Sequence, residues 1–378
     1  MTYRLLLILL SVCMAMVNNF GPEGRKTRCL LVGCDRFVSM PSTEPASANN
    51  TAAMEALLPD FLPGKVMVSK KVNGPGTVYG LENIIRDTFR DAREQDAALI
   101  YISTHGVLWQ EDGRRHMGLL LSDGVQEERL EPERLKALLD EIPGRKVLIL
   151  DACHSGAVIG CGAEDFPNVF DDPHYRVLVS SGTEEDSWFW NEQTNAYTGT
   201  GYFTAALENA LRASDPEQID PNGNKRVNLQ ELTARLKEIH GASTVYSWPE
   251  DSRELLFILP ADRKPGGRLL GLNFSEAEQD GDALLLPVHF RAEEEVRVMY
   301  QLVPKVRGKW DFDNAVRLPD KERTGLIRGL VSPGEKDRKI RLTKQSLGDE
   351  GVALMQIISL RGEGLVPSTE AGRVVRIQ

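Results

Sequence analysis

The chain has 378 residues, of which 41% are hydrophobic and 26% charged, so it is long enough to bury a full enzyme core and its composition excludes a disordered protein. Its net charge of -10 excludes nucleic acid as an expected partner, because binding to phosphates requires a basic surface. The same charge would attract a cationic substrate.

Residues 1–17 have the layout of a secretory signal peptide. Arg4 precedes an apolar run from Leu5 to Val12, and small residues follow near Ala15. The run is too short to span a bilayer as a helix. We therefore expect a secreted or cell-envelope protein with no transmembrane segment after signal removal. The alternative is a buried N-terminal element of a cytoplasmic protein.

Cys29 and Cys34 lie in or beside one apolar run. Residues five apart on a strand point to opposite faces, so we expect two small core residues and not a disulfide. The cysteines and histidines of the chain show no spacing typical of a zinc site.

Residues 28–260 alternate short apolar runs with amphipathic stretches, which is typical of a mostly parallel sheet covered by helices. A hairpin around Glu111–Gly113 is predicted after the third strand. The predicted strands are Cys29–Gly33, Lys65–Ser69, Ala97–Ser103, Lys146–Leu150, Arg176–Ser180 and Glu254–Leu259. The predicted helices are Ala52–Leu58, Val78–Glu94, Pro132–Glu141, Phe203–Ala213 and Leu229–His240.

The pattern changes after Pro260. A charged linker rich in proline and glycine occupies residues 261–267, and residues 268–378 form short β-like runs separated by turns. We predict an accessory domain that resembles a small β-sandwich. No polar constellation in this part of the sequence suggests chemistry, so its expected role is docking, substrate presentation or stabilisation.

Two apolar strands end in reactive residues, His105-Gly106 and Asp151-Ala-Cys153-His154-Ser-Gly. In open α/β sheets, ligands bind beyond the carboxyl ends of the strands, so both ends are expected at one active edge. These paired motifs resemble those of the caspase-like cysteine peptidases, closest to bacterial metacaspase-like proteins. The resemblance covers about residues 28–260 and implies a three-layer sandwich with a mostly parallel central sheet.

The chemistry of such an enzyme requires a thiolate and a group that transfers protons. Cys153 is the expected nucleophile and His105 the expected acid/base. The resemblance implies that the backbone amides of Gly106 and Cys153 bind the oxyanion. His154 is expected to have a structural role, because adjacent residues at a strand end point apart. The alternatives are an inert buried thiol and a catalytically silent scaffold that binds a partner.

Asp151 lies two residues before Cys153, on the same side of an extended segment. The resemblance implies that this acid recognises Arg or Lys at P1, the substrate residue before the cut, and a carboxylate pairs well with a guanidinium. Glu184 and Asp186 are secondary candidates for the same pocket, with a solvated acidic loop as the alternative. Trp188, Phe189 and Trp190 are expected to line neighbouring subsites or to pack in the core.

A calcium loop is a candidate where Asp220, Asn222, Asn224 and Glu231 space their oxygens as in an EF-hand. Lys225 stands where that loop requires glycine, so we favour a turn followed by a helix with a capping box of Asn228 and Glu231. No cofactor is therefore expected to be required, and calcium activation is the alternative.

Residues 154–175 contain no Lys or Arg, and after Arg176 the next basic residue is Arg212. An enzyme that cleaves after basic residues cannot process itself there, so we expect an active single uncut chain. Basic sites in Gly24–Arg28 would allow removal of an N-terminal segment. The expected substrates are proteins or peptides with basic residues, and the alternative is a cytoplasmic stress or defence peptidase.

Overall fold

The computed structural model describes residues 26–161, 163–190, 200–212, 216–240, 243–260, 269–292, 296–310, 324–331, 334–343, 345–348, 350–360 and 368–376. The predicted signal peptide and the predicted linker at 261–267 lie outside these residues.

A six-stranded sheet forms the centre of the fold, in the order β12-β8-β7-β3-β1-β2. All neighbouring pairs are parallel except β12 with β8. β3 and β8 are buried along their whole length, which explains why their sequences are apolar without alternation. The strands are β1 Lys26–Gly33, β2 Lys65–Val72, β3 Ala97–Ser103, β7 Arg145–Asp151, β8 Tyr175–Val179 and β12 Tyr246–Trp248.

Helices cover both faces of this sheet, which separates two hydrophobic cores. Successive residues of β1 alternate between the cores, so that Cys29 and Leu31 face one and Leu30 faces the other. Cys29 and Cys34 are buried, unpaired and in different cores, as predicted. The helices of the described chain are α1 Ala46–Phe61, α2 Val78–Phe89, α3 Pro132–Asp140, α4 Tyr202–Arg212 and α5 Leu229–Ile239. Among the described residues, no helix is both long and apolar enough to cross a membrane.

The last predicted strand of the central sheet was placed wrongly. Residues Leu255–Ile258 form β13, which pairs with β11 (Arg226–Asn228) in a separate two-stranded sheet. The edge of the central sheet is formed by β12, whose three residues are too few to show the alternation on which strand prediction depends. Lys26 and Arg28 begin β1 and Arg28 is buried, so cleavage beside them would remove part of the sheet.

The predicted hairpin is part of a three-stranded antiparallel sheet beside the carboxyl end of the central sheet. Its strands are β4 Gly106–Glu111, β5 Arg114–Ser122 and β6 Glu127–Leu130. The turn at Glu111–Gly113 is confirmed, whereas β6 was not predicted because its four residues are mostly charged. The hairpin starts one residue after His105, so it is attached directly to the candidate site.

The C-terminal region is formed by antiparallel sheets that share one hydrophobic core, in agreement with the predicted β-sandwich-like architecture. Leu286 and Val288 of one sheet and Leu302 and Met355 of the other all contribute to this core. The strands of this region are β14 Leu269–Phe274, β15 Glu278–Asp280, β16 Ala283–Ala292, β17 Val296–Val306, β18 Lys309–Trp310, β19 Thr324–Val331, β20 Gly334–Thr343, β21 Val352–Leu360 and β22 Ser368–Arg376. Two short strands lie near the candidate site, β9 Phe189–Trp190 and β10 Thr200–Gly201.

His240, the last residue of the predicted helix Leu229–His240, directly follows α5 and is buried. Its Nε2 lies 3.0 Å from Ser243 Oγ, and its ring packs on the edge of Phe203. Burial lowers the pKa of His240 from 6.5 to about 4. The folded protein therefore holds a neutral imidazole where the unfolded chain would bind a proton.

We expect the free energy of unfolding to fall by about 3 kcal/mol as the pH is lowered from 6.5 to 4, because the unfolded chain binds a proton at His240 that the folded chain rejects. Equilibrium unfolding in urea across this pH range measures the effect. His240→Gln should flatten the dependence. If the free energy of unfolding of His240→Gln depended on pH as strongly as that of the wild-type protein, the lowered pKa assigned to His240 would be wrong.

Candidate active site

The register between β3 and β7 places the two reactive residues side by side. Ser103 pairs with Asp151, so the chain continues from equivalent points of adjacent parallel strands to His105 and to Cys153. The separation of 48 positions between His105 and Cys153 equals that between the paired residues Ser103 and Asp151. The parallel pairing thus converts a long separation in sequence into proximity at one edge of the sheet.

These residues line one cleft of about 400 Å³, part of which is open solvent. His105, Asp151 and Cys153, predicted from the sequence, are all in its lining. Gly106 lies against the backbone of Cys153, and a Cβ atom at Gly106 would stand 1.8 Å from the Cys153 carbonyl oxygen. Only glycine fits there. The two backbone segments proposed for the oxyanion site are therefore in contact.

His105 is held by the loop that follows β1. Its Nε2 lies 3.0 Å from the carbonyl oxygen of Pro41, and the ring of Phe37 packs 4.5 Å from its own ring, centroid to centroid. A carbonyl only accepts hydrogen bonds, so Nε2 carries a proton in this contact. In the neutral ring, Nδ1 is then the nitrogen that can accept a proton.

The thiol of Cys153 is half-buried and makes two hydrogen bonds to the backbone of Ser187. The Ser187 amide donates to Sγ at 3.3 Å, and the thiol donates to the Ser187 carbonyl at 3.6 Å. Burial, together with the negative charge of Asp186, raises the pKa of Cys153 from 9.0 to about 12. In this arrangement the sulfur is a protonated thiol at neutral pH.

Asp151 lies at the base of the cleft and is only 5% exposed. Its Oδ2 accepts hydrogen bonds from Thr204 at 2.7 Å, Asn50 at 3.2 Å and Tyr101 at 3.3 Å, and its Oδ1 accepts one from Ser187 at 2.9 Å. Burial raises the pKa of Asp151, while these donors act in the opposite direction. A buried carboxylate with several donors makes the floor of the cleft polar.

Asn50, Gly201 and Thr204 were not predicted as parts of the site. Asn50 lies on α1, far along the chain, and no pattern in the sequence connects it to Asp151. Its side chain also accepts the amide of Gly201 at 2.7 Å. Gly201 lies just before α4 and Thr204 lies within it, and a Cβ atom at Gly201 would stand 2.6 Å from Asp151 Oδ2. Gly201 therefore lines the cleft, and Thr204 of α4 supports Asp151 through a hydrogen bond.

The secondary acidic candidates, Glu184 and Asp186, are outside the described lining of the cleft. Glu184 is exposed and pairs with Arg115 of β5, so it is not part of the described cleft lining. Asp186 is also outside that lining; it lies 3.7 Å from His154 Nε2 and close enough to Cys153 for its charge to raise the thiol pKa. Both extend from the surface loop after β8, where solvent satisfies a carboxylate.

The aromatic residues of the same segment do reach the cleft. Trp188 and Phe189 are part of its lining, and the side chain of Trp190 lies outside the described residues. His154 adopts the left-handed conformation with φ of 60°, and its Nδ1 donates to the Thr183 carbonyl at 2.9 Å. This contact confirms that His154 has a hydrogen-bonding role in the turn.

The calcium-loop candidate forms the predicted capping box. The Asn228 side chain accepts the Glu231 amide at 2.9 Å, and the Glu231 side chain accepts the Asn228 amide at 3.0 Å. Asp220 accepts the backbone amides of Asn224 and Lys225, and Asn222 donates to Glu231. Lys225 adopts φ of 59°, which is costly for a residue with a side chain. That no cofactor is required, with calcium activation as the alternative, stays a prediction.

The described part of the C-terminal region contains a polar constellation that the sequence did not reveal. Ser275 Oγ lies 2.8 Å from His289 Nε2, and His289 Nδ1 lies 2.6 Å from Asp337 Oδ1. His289 and Asp337 are opposite each other on β16 and β20. Asp337 is 86% exposed, so the group is a hydrogen-bonded row on the outer surface of a sheet.

A sequence-family model described as a caspase domain matches residues 26–243, more than half of the chain. Among solved structures, the chain is similar to a protein from Geobacter sulfurreducens with 16% identity and a TM-score of 0.42, over 59% of this chain and 92% of the other. It is also similar to caspase-1 from Spodoptera frugiperda with 16% identity and a TM-score of 0.38, over 59% of this chain and 86% of the other. No curated protein matches the chain.

We expect the alkylation rate of Cys153 by iodoacetamide to rise with pH up to about pH 10 without a plateau, because the thiol loses its proton only at high pH. Asp186→Asn should increase the rate at pH 8 about fivefold by removing the nearby negative charge. Mass spectrometry of the Cys153 peptide measures the rate.

Asp165→Asn provides the control, because Asp165 pairs with Arg115 and is exposed. If the alkylation rate of Cys153 reached a plateau near neutral pH in the substrate-free protein, the assigned protonation state of the thiol would be wrong.

Proposed function

Because the chain belongs to the caspase-domain family of cysteine peptidases, we propose that it is an endopeptidase that cleaves protein substrates after Arg or Lys, with a dyad of Cys153 and His105. The observation that carries the proposal is one cleft lined by His105, Cys153 and the buried carboxylate of Asp151. In this proposal they act on one substrate as nucleophile, proton acceptor and the group that recognises a basic P1 side chain.

The proposed reaction begins with a protonated thiol. As Cys153 Sγ attacks the scissile carbonyl carbon, His105 Nδ1 accepts the thiol proton and a C–S bond forms. The amides of Gly106 and Cys153 stabilise the oxyanion. The imidazolium then protonates the leaving amine as the C–N bond breaks, and water hydrolyses the resulting thioester. These steps use no metal, so we propose that no cofactor is required.

The polar base of the cleft supports a basic P1 residue. A guanidinium that reaches Asp151 would replace the Ser187 hydroxyl, the donor to Oδ1. Two parallel hydrogen bonds to a carboxylate favour Arg over Lys. Trp188 and Phe189 offer apolar surface to the methylene groups of the same side chain.

We expect a P1-diverse peptide library to show cleavage after Arg, then Lys. Asp151→Asn should reduce kcat/KM for Arg substrates by about 100-fold to 1000-fold through loss of a buried charge-assisted pair. Glu184→Gln is the matched control, because this acid is exposed and pairs with Arg115, and its kcat/KM should change less than about threefold.

Cys153→Ala should abolish cleavage and labelling by an arginyl chloromethyl ketone. Absence of labelling in the wild-type protein would favour a silent scaffold, and preference for acidic P1 residues would contradict the role of Asp151.

We also propose that the enzyme is active as a single uncut chain and is exported. The stretch between Cys153 and Arg176 lacks Lys and Arg, so an enzyme of the proposed specificity has no site there. Intact-mass measurement of the active protein from its native cells should show one uninterrupted chain that begins after the apolar segment. An active enzyme split within residues 154–175 would contradict the first part, and retention of Met1 would indicate a cytoplasmic enzyme.

A further inference from the structure

The loop of residues 36–43, here named the His105 loop, carries the contacts that hold the imidazole of His105. Phe37 packs against the ring, and the Pro41 carbonyl accepts the Nε2 proton. The loop itself is largely exposed: Val38 is 61% and Met40 is 36% accessible. An exposed loop needs anchors if it is to fix a side chain.

One anchor holds the C-terminal end of the His105 loop. Asp35 is fully buried, and its Oδ1 accepts the Thr43 hydroxyl at 2.9 Å and the Ser47 amide at 2.7 Å. Its Oδ2 accepts the Ala48 amide at 2.8 Å. The loop end is therefore bound to the first turn of α1. Ser42, which directly follows Pro41, also donates its hydroxyl to the Asp35 carbonyl at 2.8 Å, so this anchor holds the loop on the C-terminal side of Pro41.

The second anchor holds the middle of the loop and comes from β6. Glu127 accepts the amide of Val38 at 2.7 Å and the amide of Ser39 at 3.3 Å. It also accepts the hydroxyl of Ser39. Although partial burial acts to raise the pKa of Glu127, the hydrogen bonds from Ser39 and Val38 lower it overall. The carboxylate thus binds the loop as an anion with three donors.

We propose that Glu127 is a positioning residue for His105: by binding residues 38 and 39 of the His105 loop, it keeps the Pro41 carbonyl in place against the imidazole. The catalytic part of this inference rests on the proposed function of His105. Glu127 touches no reacting group, so its effect passes through the loop. The short strand β6 thereby acquires a role in the site.

Glu128 supplies a matched control on the same strand. Its Oε2 accepts the amide of Val78 at 2.7 Å, at the start of α2. Adjacent residues of a strand point to opposite faces, which explains why one acid binds the His105 loop and the other a helix end. Glu127 and Glu128 each accept a hydrogen bond from a backbone amide at 2.7 Å. The two acids therefore differ chiefly in the segment that they hold.

Glu127→Gln should lower kcat on an arginyl peptide about tenfold with little change in KM, because a small displacement of a proton-transfer group slows chemistry more than binding. Glu128→Gln should keep the wild-type kcat. Ser39→Ala, which removes one of the three donors, should lower kcat about threefold. Thermal unfolding of each variant identifies any loss of folding, and Ser39→Ala keeps the test available if Glu127→Gln does not fold.

A second measurement does not depend on peptidase activity. The Nε2 proton of His105, held by the Pro41 carbonyl, should give an NMR resonance that is absent in His105→Gln. This resonance should broaden through faster exchange in Glu127→Gln and persist in Glu128→Gln. Equal behaviour of the two glutamine variants in kinetics and in NMR would overturn the proposal. Failure of the wild-type protein to cleave any basic peptide would sink the proposed function, and the NMR comparison would still decide the role of Glu127.

Discussion

The structure depends on the parallel pairing of β3 with β7. Their register places Ser103 opposite Asp151, and each strand then delivers one reactive residue two positions further along the chain. A slip of one residue would turn every side chain of the shifted strand to the opposite face and exchange its two core surfaces. The same apolar contacts that stabilise the sheet therefore also determine the relative position of thiol and imidazole.

The buried carboxylate of Asp151 imposes the next constraint. A carboxylate removed from water is costly unless donors compensate it, and here the donors come from α1, β3, α4 and the segment after β8. Elements on different sides of the cleft are thus connected by one polar group. Gly201 leaves room for this network, since any side chain there would collide with Asp151 or Asn50.

Without a substrate, the thiol of Cys153 and the imidazole of His105 are hydrogen-bonded to other residues of the chain. Cys153 is bonded to the backbone of Ser187, and His105 to the carbonyl of Pro41. Ser187 also donates its hydroxyl to Oδ1 of Asp151, so one residue contacts both Cys153 and Asp151. In the proposed reaction, a substrate with a basic side chain would compete with Ser187 for that carboxylate. Binding and exposure of the thiol would then be linked through a single segment.

Much of the fold was predictable from local pattern. The strand at Ala97–Ser103 has the predicted bounds, and the helices that begin at Val78, Pro132 and Leu229 start where predicted. These elements are long or strongly periodic, so burial leaves a regular signal. The errors fall on the short strands β6 and β12, on the first helix, which begins at Ala46 and not at Ala52, and on the strand at Leu255–Ile258, whose partner depends on the packing of distant elements.

The sequence by itself determined the fold class, the family resemblance and the choice of His105, Asp151 and Cys153 as candidate site residues, because each motif directly follows or ends an apolar strand. Only the tertiary structure decided which partners surround them: Asn50 and Thr204 on Asp151, Pro41 and Phe37 on His105, Ser187 on Cys153. It also separated Glu184 and Asp186, near neighbours of Ser187 in sequence, from the cleft lining. The physical reason is that side-chain hydrogen bonds between distant segments carry no periodicity, so they exist as a pattern only after the chain has folded.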